Sequence, residues 1–394
     1  MSMGPYDHPL LKSLLGAWAL AACSPEESAA VEAHLTDCGE CAEEAVRLRR
    51  AVTMLHPQDG LDLDPGLRVR VLDFARARRR PLLPVPGWAT AYDAETARLD
   101  ALLADMGEAE WAAPVALTWF DGTATARRET SVAGVIGHLL AVDGLPALAL
   151  GLPDPLRRGG APPGRAPQPP ITSPDARTEA IWREAGSDPA LQRRLSPELR
   201  RSHAGTMRGV WREQTYELVR HASFAAKQVA DHPVPYGPGL SLPMREAFTD
   251  RAFETWMHAW DIAEAIDYPY TAPEPHHLHR MIDLAARLLP PALAERRRRG
   301  LADPPAGLLA AGEEGRSLRL EVEGPGGGQW FVALDSPGAS ASAKGEVAHL
   351  ALEGVEFCRI AAGHLAPEEA AAGSDSDARA VTEVLYAAAS LSRL

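Results

Sequence analysis

His34, Cys38 and Cys41 stand at i, i+4 and i+7, and together they can turn one imidazole and two thiolates toward a single point. Zinc takes four such donors tetrahedrally, and a Cys-x2-Cys pair lets one turn of chain supply two of them. A sealed site needs a fourth ligand. His8 opens the first predicted helix and Cys23 lies at that helix's far end, so either could complete the set. His8 suits an antiparallel helix pair, in which the start of the first helix packs on the end of the second. The block that carries these residues, 1–80, is too small to bury much core alone. A zinc ion would therefore crosslink helices that packing alone does not hold.

A second group sits far downstream. Glu254 and His258 are four residues apart and project from one face of a helix, with Asp261 three further on. Apolar neighbours turn that face inward, where a carboxylate is costly unless paired or metal-bound. By itself the pair reads as a hydrogen bond inside a core. His138, on the apolar stretch 131–140, changes the reading by offering a second imidazole. Two histidines and one carboxylate from facing helices are a metal-ligand set that bundles build. Three protein ligands leave one coordination position open, as a reactive site requires and a structural one does not.

The elements that must position these groups fall into three blocks. In residues 1–80, Leu10, Leu11, Leu14, Leu15 and Trp18 form an apolar stripe at helical spacing. Ser24, Pro25 and Glu27 then open a second helix with the pattern of a capping box. A third helix is predicted from near Cys41 to Leu55, and a fourth over 66–79. Pro81, Pro84 and Pro86 make a stiff boundary. Block 87–300 has helical patterning at 92–106, 132–150, 197–227, 244–266 and 275–289, which predicts a four-helix bundle. Its segment 151–174, rich in Pro, Gly and Arg, predicts a loop. In block 301–394 the period changes to two over 318–323 and 330–334, so a β-hairpin is expected, followed by helices at 345–364 and 377–394. The fold class is thus mainly α, with a small C-terminal α+β domain.

Composition narrows the function classes. The net charge is −13, with 40 basic against 53 acidic residues, which argues against nucleic acid as a direct partner. No run of ~18 apolar residues suggests a membrane span, because 132–152 is interrupted by His138, Asp143 and Pro146. No signal peptide is evident, so a cytoplasmic location is expected. Four cysteines are too few for a disulfide framework. Three lysines stand against 37 arginines, a bias typical of a GC-rich genome. The histidines at 276, 277 and 279 and the run Glu295 to Arg299 read as solvated surface, and Cys358 as a buried, inert thiol.

Two resemblances follow from these motifs. The order Asp7-His8, Leu-Gly-Ala-Trp-Ala-Leu at 15–20, Ser24-Pro-Glu-Glu, then His34-x3-Cys38-x2-Cys41 resembles the zinc-binding anti-sigma factor domain over about residues 5–78. That resemblance implies a zinc site at His34, Cys38, Cys41 and His8. It also implies a fourth helix that clasps a sigma factor of the extracytoplasmic-function type. The predicted helix at 66–79 carries an apolar face and, counting Arg80 at its end, six arginines, which suits a partner groove and equally suits a solvated basic face.

The run Ser131-Val-x5-His138-Leu, followed by Glu254-x3-His258-Ala-Trp-Asp261, resembles the mycothiol-dependent maleylpyruvate isomerase family of DinB-like bundles over about 88–300. Block 301–394 resembles that family's small C-terminal domain. The resemblance implies a divalent metal, usually zinc, on His138, Glu254 and His258. It further implies that a low-molecular-weight thiol, mycothiol, binds at the open position. Together the two suggest an anti-sigma-like regulator with an appended metal- and thiol-binding sensor, the alternative being a mycothiol-dependent isomerase or thiol transferase.

Overall fold

The structure is a computed structural model that describes residues 6–55, 71, 84–157, 169–184, 197–237, 239–370 and 377–392. The chain divides into two compact units, Met1–Leu82 and Leu83–Leu394.

In the first unit three short helices, α1 (His8–Ala19), α2 (Pro25–Asp37) and α3 (Gly39–Leu55), pack on one another. Each start has a local cause. Asp7 accepts from the Leu10 backbone N–H and Pro9 sits in the first turn of α1. Ser24 and Glu27 exchange side-chain and backbone bonds in a complete capping box at α2. The described core is small: Leu11, Leu15, Val31, Cys41 and Ala45 are buried, with Leu14, Trp18 and Leu35 against them. The predicted fourth helix lies outside the described residues apart from Val71, which is helical and exposed.

The second unit is built on four long helices: α4 (Thr90–Asp105), α5 (Val132–Ala149), α7 (Pro197–Val229) and α8 (Met244–Ala265). The shorter α6 (Pro174–Glu184) packs on α5. Helix α5 is buried along almost its whole length. It is the one helix among the described residues apolar and long enough to cross a bilayer, yet 89% of it lies inside the unit. A hairpin of β1 (Pro114–Phe120) and β2 (Thr125–Ser131), which the sequence reading missed, leads into α5 without a linker. Ser131 ends the strand and caps the helix by accepting from the Gly134 N–H. A Cβ at Gly134 would stand 2.1 Å from the Thr130 hydroxyl, so any larger residue at this strand-to-helix corner would force Thr130 to turn away. His138 follows one turn later on a helix whose start is thereby set.

After the short antiparallel pair β3 (Pro233–Pro235) and β4 (Ser241–Pro243), helix α9 (Pro275–Arg298) connects the bundle to a three-stranded sheet of β5 (Ser317–Glu323), β6 (Gly328–Ala333) and β7 (Glu346–Glu353) in the order β6-β5-β7. Helices α10 (Gly354–Ala361) and α11 (Ala378–Ala389) complete this layer. The expected hairpin is present, in register Leu318 with Val332 and Leu320 with Trp330. The expected helix from 345 is not. Residues 346–353 pair in parallel with β5, and Ala348, Leu350 and Leu352 point into the core at a period of two. Apolar residues on both parities hid that period, and the neighbouring strand supplies the hydrogen bonds that decide for β. One apolar core, including Phe248, Leu278, Leu318, Leu350 and Phe357, runs from the helices into this sheet.

Two polar groups expected at the surface are inside. His277 is buried and its Nε2 lies 3.1 Å from the Thr90 hydroxyl, while its neighbours His276 and His279 are exposed. Arg296 is buried too, donating to the Gly122 carbonyl and the Ser390 hydroxyl, each at 2.9 Å. Helix α9 lies between layers here, so one residue in each turn of a polar run must face inward. Cys358 is buried on α10, as expected, and burial pushes its thiol far up.

Candidate metal centres

In the first unit the end of α2 and the start of α3 meet the start of α1. His34 comes from the last turn of α2, Cys38 from the cap that follows, and Cys41 from the first turn of α3. His8, at the first position of α1, joins them from the other side. The donor atoms of His8, His34, Cys38 and Cys41 lie within 4.8 Å of one another. His8 Nδ1 is 3.1 Å from His34 Nε2 and 3.9 Å from Cys38 Sγ. Metal–donor distances of ~2.0–2.3 Å in a tetrahedron set donor–donor edges of roughly 3.3–3.8 Å, so the group could close on zinc with shifts of up to about an ångström. Cys23 does not join it; its Sγ lies 3.8 Å from the Leu14 carbonyl instead. Cys41 is buried and Cys38 half-buried. Burial pushes the Cys41 thiol up, and the adjacent Cys38 adds to the shift, whereas a cation between the sulfurs would favour the thiolates.

In the second unit α5 brings His138 against α8, where Glu254 and His258 occupy successive turns of one face. His138 Nε2 lies 4.0 Å and His258 Nε2 3.5 Å from the same oxygen, Glu254 Oε2. Both Nε2 atoms are buried without a hydrogen-bond partner. Their opposite nitrogens explain why. Thr178, on α6, donates its hydroxyl to the Pro174 carbonyl at 3.0 Å, so it can only accept from His138 Nδ1, 2.8 Å away. Asp261 accepts from His258 Nδ1 at 2.8 Å. Each ring therefore carries a proton on Nδ1 and can aim an Nε2 lone pair at the Glu254 carboxylate. Orphaned imidazole nitrogens converging on a largely buried carboxylate, each braced through Nδ1, form the donor set of a divalent cation with its outer partners in place.

Without an ion the electrostatics favour a second proton on His258, which a bound cation would displace from Nε2. Burial lowers His138 to about 4. Burial opposes charge on His258 as well, but the Asp261 and Glu254 carboxylates outweigh it and raise that ring to about 9. Burial alone would raise Glu254; the two imidazoles and Arg251 hold it well below the usual carboxylate range. Without an ion the carboxylate is thus kept ionised, ready for a cation.

A small cavity opens on this group, lined among others by His138, Glu254, Tyr236 and Arg251. Arg251 is buried, and its Nε donates to Asp143 Oδ1 at 2.8 Å. The other Asp143 oxygen accepts from Tyr92 Oη at 2.9 Å and Trp211 Nε1 at 3.2 Å. Sequence reading missed Thr178, Arg251 and Asp143. Arg251 lies three residues before Glu254, and that helical spacing was the available signal.

Residues 11–42 match a family model described as "Putative zinc-finger". The match spans His34, Cys38 and Cys41 and leaves His8 just outside it. No curated protein matches the chain. Two solved structures of the mycothiol-dependent maleylpyruvate isomerase, one of them a point mutant, are similar to the chain at 18% identity. Each covers 74% of this chain and 93% of its own, with TM-scores of 0.41 and, for the mutant, 0.39.

Proposed function

We propose that the chain is a zinc-binding, anti-sigma-like regulator: the first unit sequesters a sigma factor of the extracytoplasmic-function type, and the bundle is its metal- and thiol-binding sensor. The observation that carries this reading is the convergence of His8, His34, Cys38 and Cys41 from three short helices, within a stretch that matches a zinc-finger family. Zinc held there staples α1 to the α2–α3 corner and so presents α3. That helix exposes Val46, Met54 and Leu55, apolar side chains without a described partner in their own unit. Arg49 lies over Trp18 at 4.4 Å and Lys12 pairs with Glu40 at 2.6 Å, so the polar faces are already engaged locally. Co-purification with candidate sigma factors, with and without Cys38→Ser, tests the reading. A complex that forms with the zinc-replete chain and is lost in the variant is expected; no complex under reducing, zinc-replete conditions overturns it.

The second reading, a mycothiol-dependent isomerase or thiol transferase, is favoured by the bundle group. A divalent ion on His138, Glu254 and His258 would supply a Lewis-acidic position that stabilises a thiolate. Thr178 and Asp261 hold the two rings, and Arg251 faces the same cavity. Calorimetric titration with mycothiol tests this: binding by the native chain and none by Glu254→Gln is expected. Binding undiminished in that variant would remove the thiol from the metal site.

A further inference from the structure

The carboxylate that braces His258 is itself approached by an imidazole from the other layer of the unit. Asp261 is buried, and its Oδ1, the oxygen not used by His258, stands 3.5 Å from His364 Nε2. His364 belongs to the C-terminal layer, on the turn that ends α10, and its side chain is only 12% exposed. The turn has little freedom. Gly363 has φ 73°, and a Cβ there would fall 2.4 Å from the Phe120 backbone nitrogen, so glycine is required where the turn presses on β1. Ser392 locks the contact by donating to the Ala362 carbonyl at 2.9 Å and accepting from the Phe120 N–H at 3.2 Å. The His364 N–H donates to the Arg359 carbonyl at 2.8 Å.

We infer that His364 is a positioning residue for the bundle's metal site, acting through Asp261 on His258. A carboxylate bonded through one oxygen can still turn about its Cβ–Cγ bond and carry its imidazole with it. An imidazole packed against the second oxygen limits that rotation and with it the direction of His258 Nε2. The C-terminal α+β layer, 106 residues downstream of His258, is then part of the site's support. The inference rests on the reading of His138, Glu254 and His258 as metal ligands.

The test uses the full-length chain, stripped of metal and reloaded with cobalt(II). Two equivalents in the native chain against one in Glu254→Gln is expected, and the difference spectrum isolates the bundle site. Equal loading of those two proteins would overturn the metal reading itself, whatever His364 does. With that reading standing, His364→Leu should weaken bundle cobalt by about 10-fold, the lower end for an outer partner of a ligand, and shift its visible absorption band. His364→Gln, whose amide can still donate to Asp261, should restore most of both. Phe357→Ala, a buried neighbour on α10, should lower the melting temperature without moving the band. Asp261→Asn should weaken cobalt similarly, and combining it with His364→Leu should add little. Native affinity and band in His364→Leu, or fully additive losses in the double variant, would overturn the inference.

Discussion

The two metal-ligand groups differ in what surrounds them. In the first unit the donors come from the ends of three short helices, with His8 exposed and five buried core residues between them. In the second, the donors sit midway along long helices, inside a packed core, with every ring braced by a buried partner. The first arrangement has little apolar burial to offset the conformational entropy of some fifty ordered residues. The second has an extensive apolar core to carry its fold. In one case the metal would hold the fold; in the other the fold holds the metal position.

That contrast can be broken experimentally, most forcefully at Cys41. Structural zinc in finger peptides contributes ~10–16 kcal/mol, so Cys41→Ser should unfold α1–α3 while the second unit stays folded. Hydrogen exchange read peptide by peptide would register the loss over residues 6–55; native protection there would remove the asymmetry. Next in size is Arg251→Met in the metal-free chain. It leaves Asp143 buried without its cation and should cost about 3–5 kcal/mol, seen as a lower urea midpoint for the second unit. A near-neutral result would mean that Tyr92 and Trp211 suffice for that carboxylate. Glu254→Gln should have a smaller effect on the fold. Far-ultraviolet circular dichroism should stay native while elemental analysis falls from two metals per chain to one. Collapse of the bundle helices would contradict a fold that stands without its ion. The smallest effect is expected at the α2 cap, where Ser24→Ala should cost ~1 kcal/mol, visible as faster exchange in the first turn of that helix.

Much of the architecture was legible from periodicity and punctuation. The capping box at Ser24 and Glu27, the four long bundle helices and the β5–β6 hairpin follow from short-range patterns that hold in the structure. Four features did not follow. The β1–β2 hairpin and β7 derive their stability from pairing partners, and β7 in particular is apolar on both parities, which blurs its period. His277 and Arg296 lie in polar runs whose local composition says surface, and only the layer packed against α9 turns them inward.

The candidate sites divide along the same line. Spacing within one helix set the relation of Glu254, His258 and Asp261, because 3.6 residues per turn fixes which side chains share a face, and short separation kept His34, Cys38 and Cys41 together across the α2–α3 corner. It could not set what that face meets. Tertiary structure brought His8 rather than Cys23 to the first group, His138 and Thr178 to the second, and His364 to the far side of Asp261. Those contacts span tens to more than a hundred residues of chain. Their geometry depends on how whole helices and layers pack, a sum of many weak contacts that no local pattern encodes.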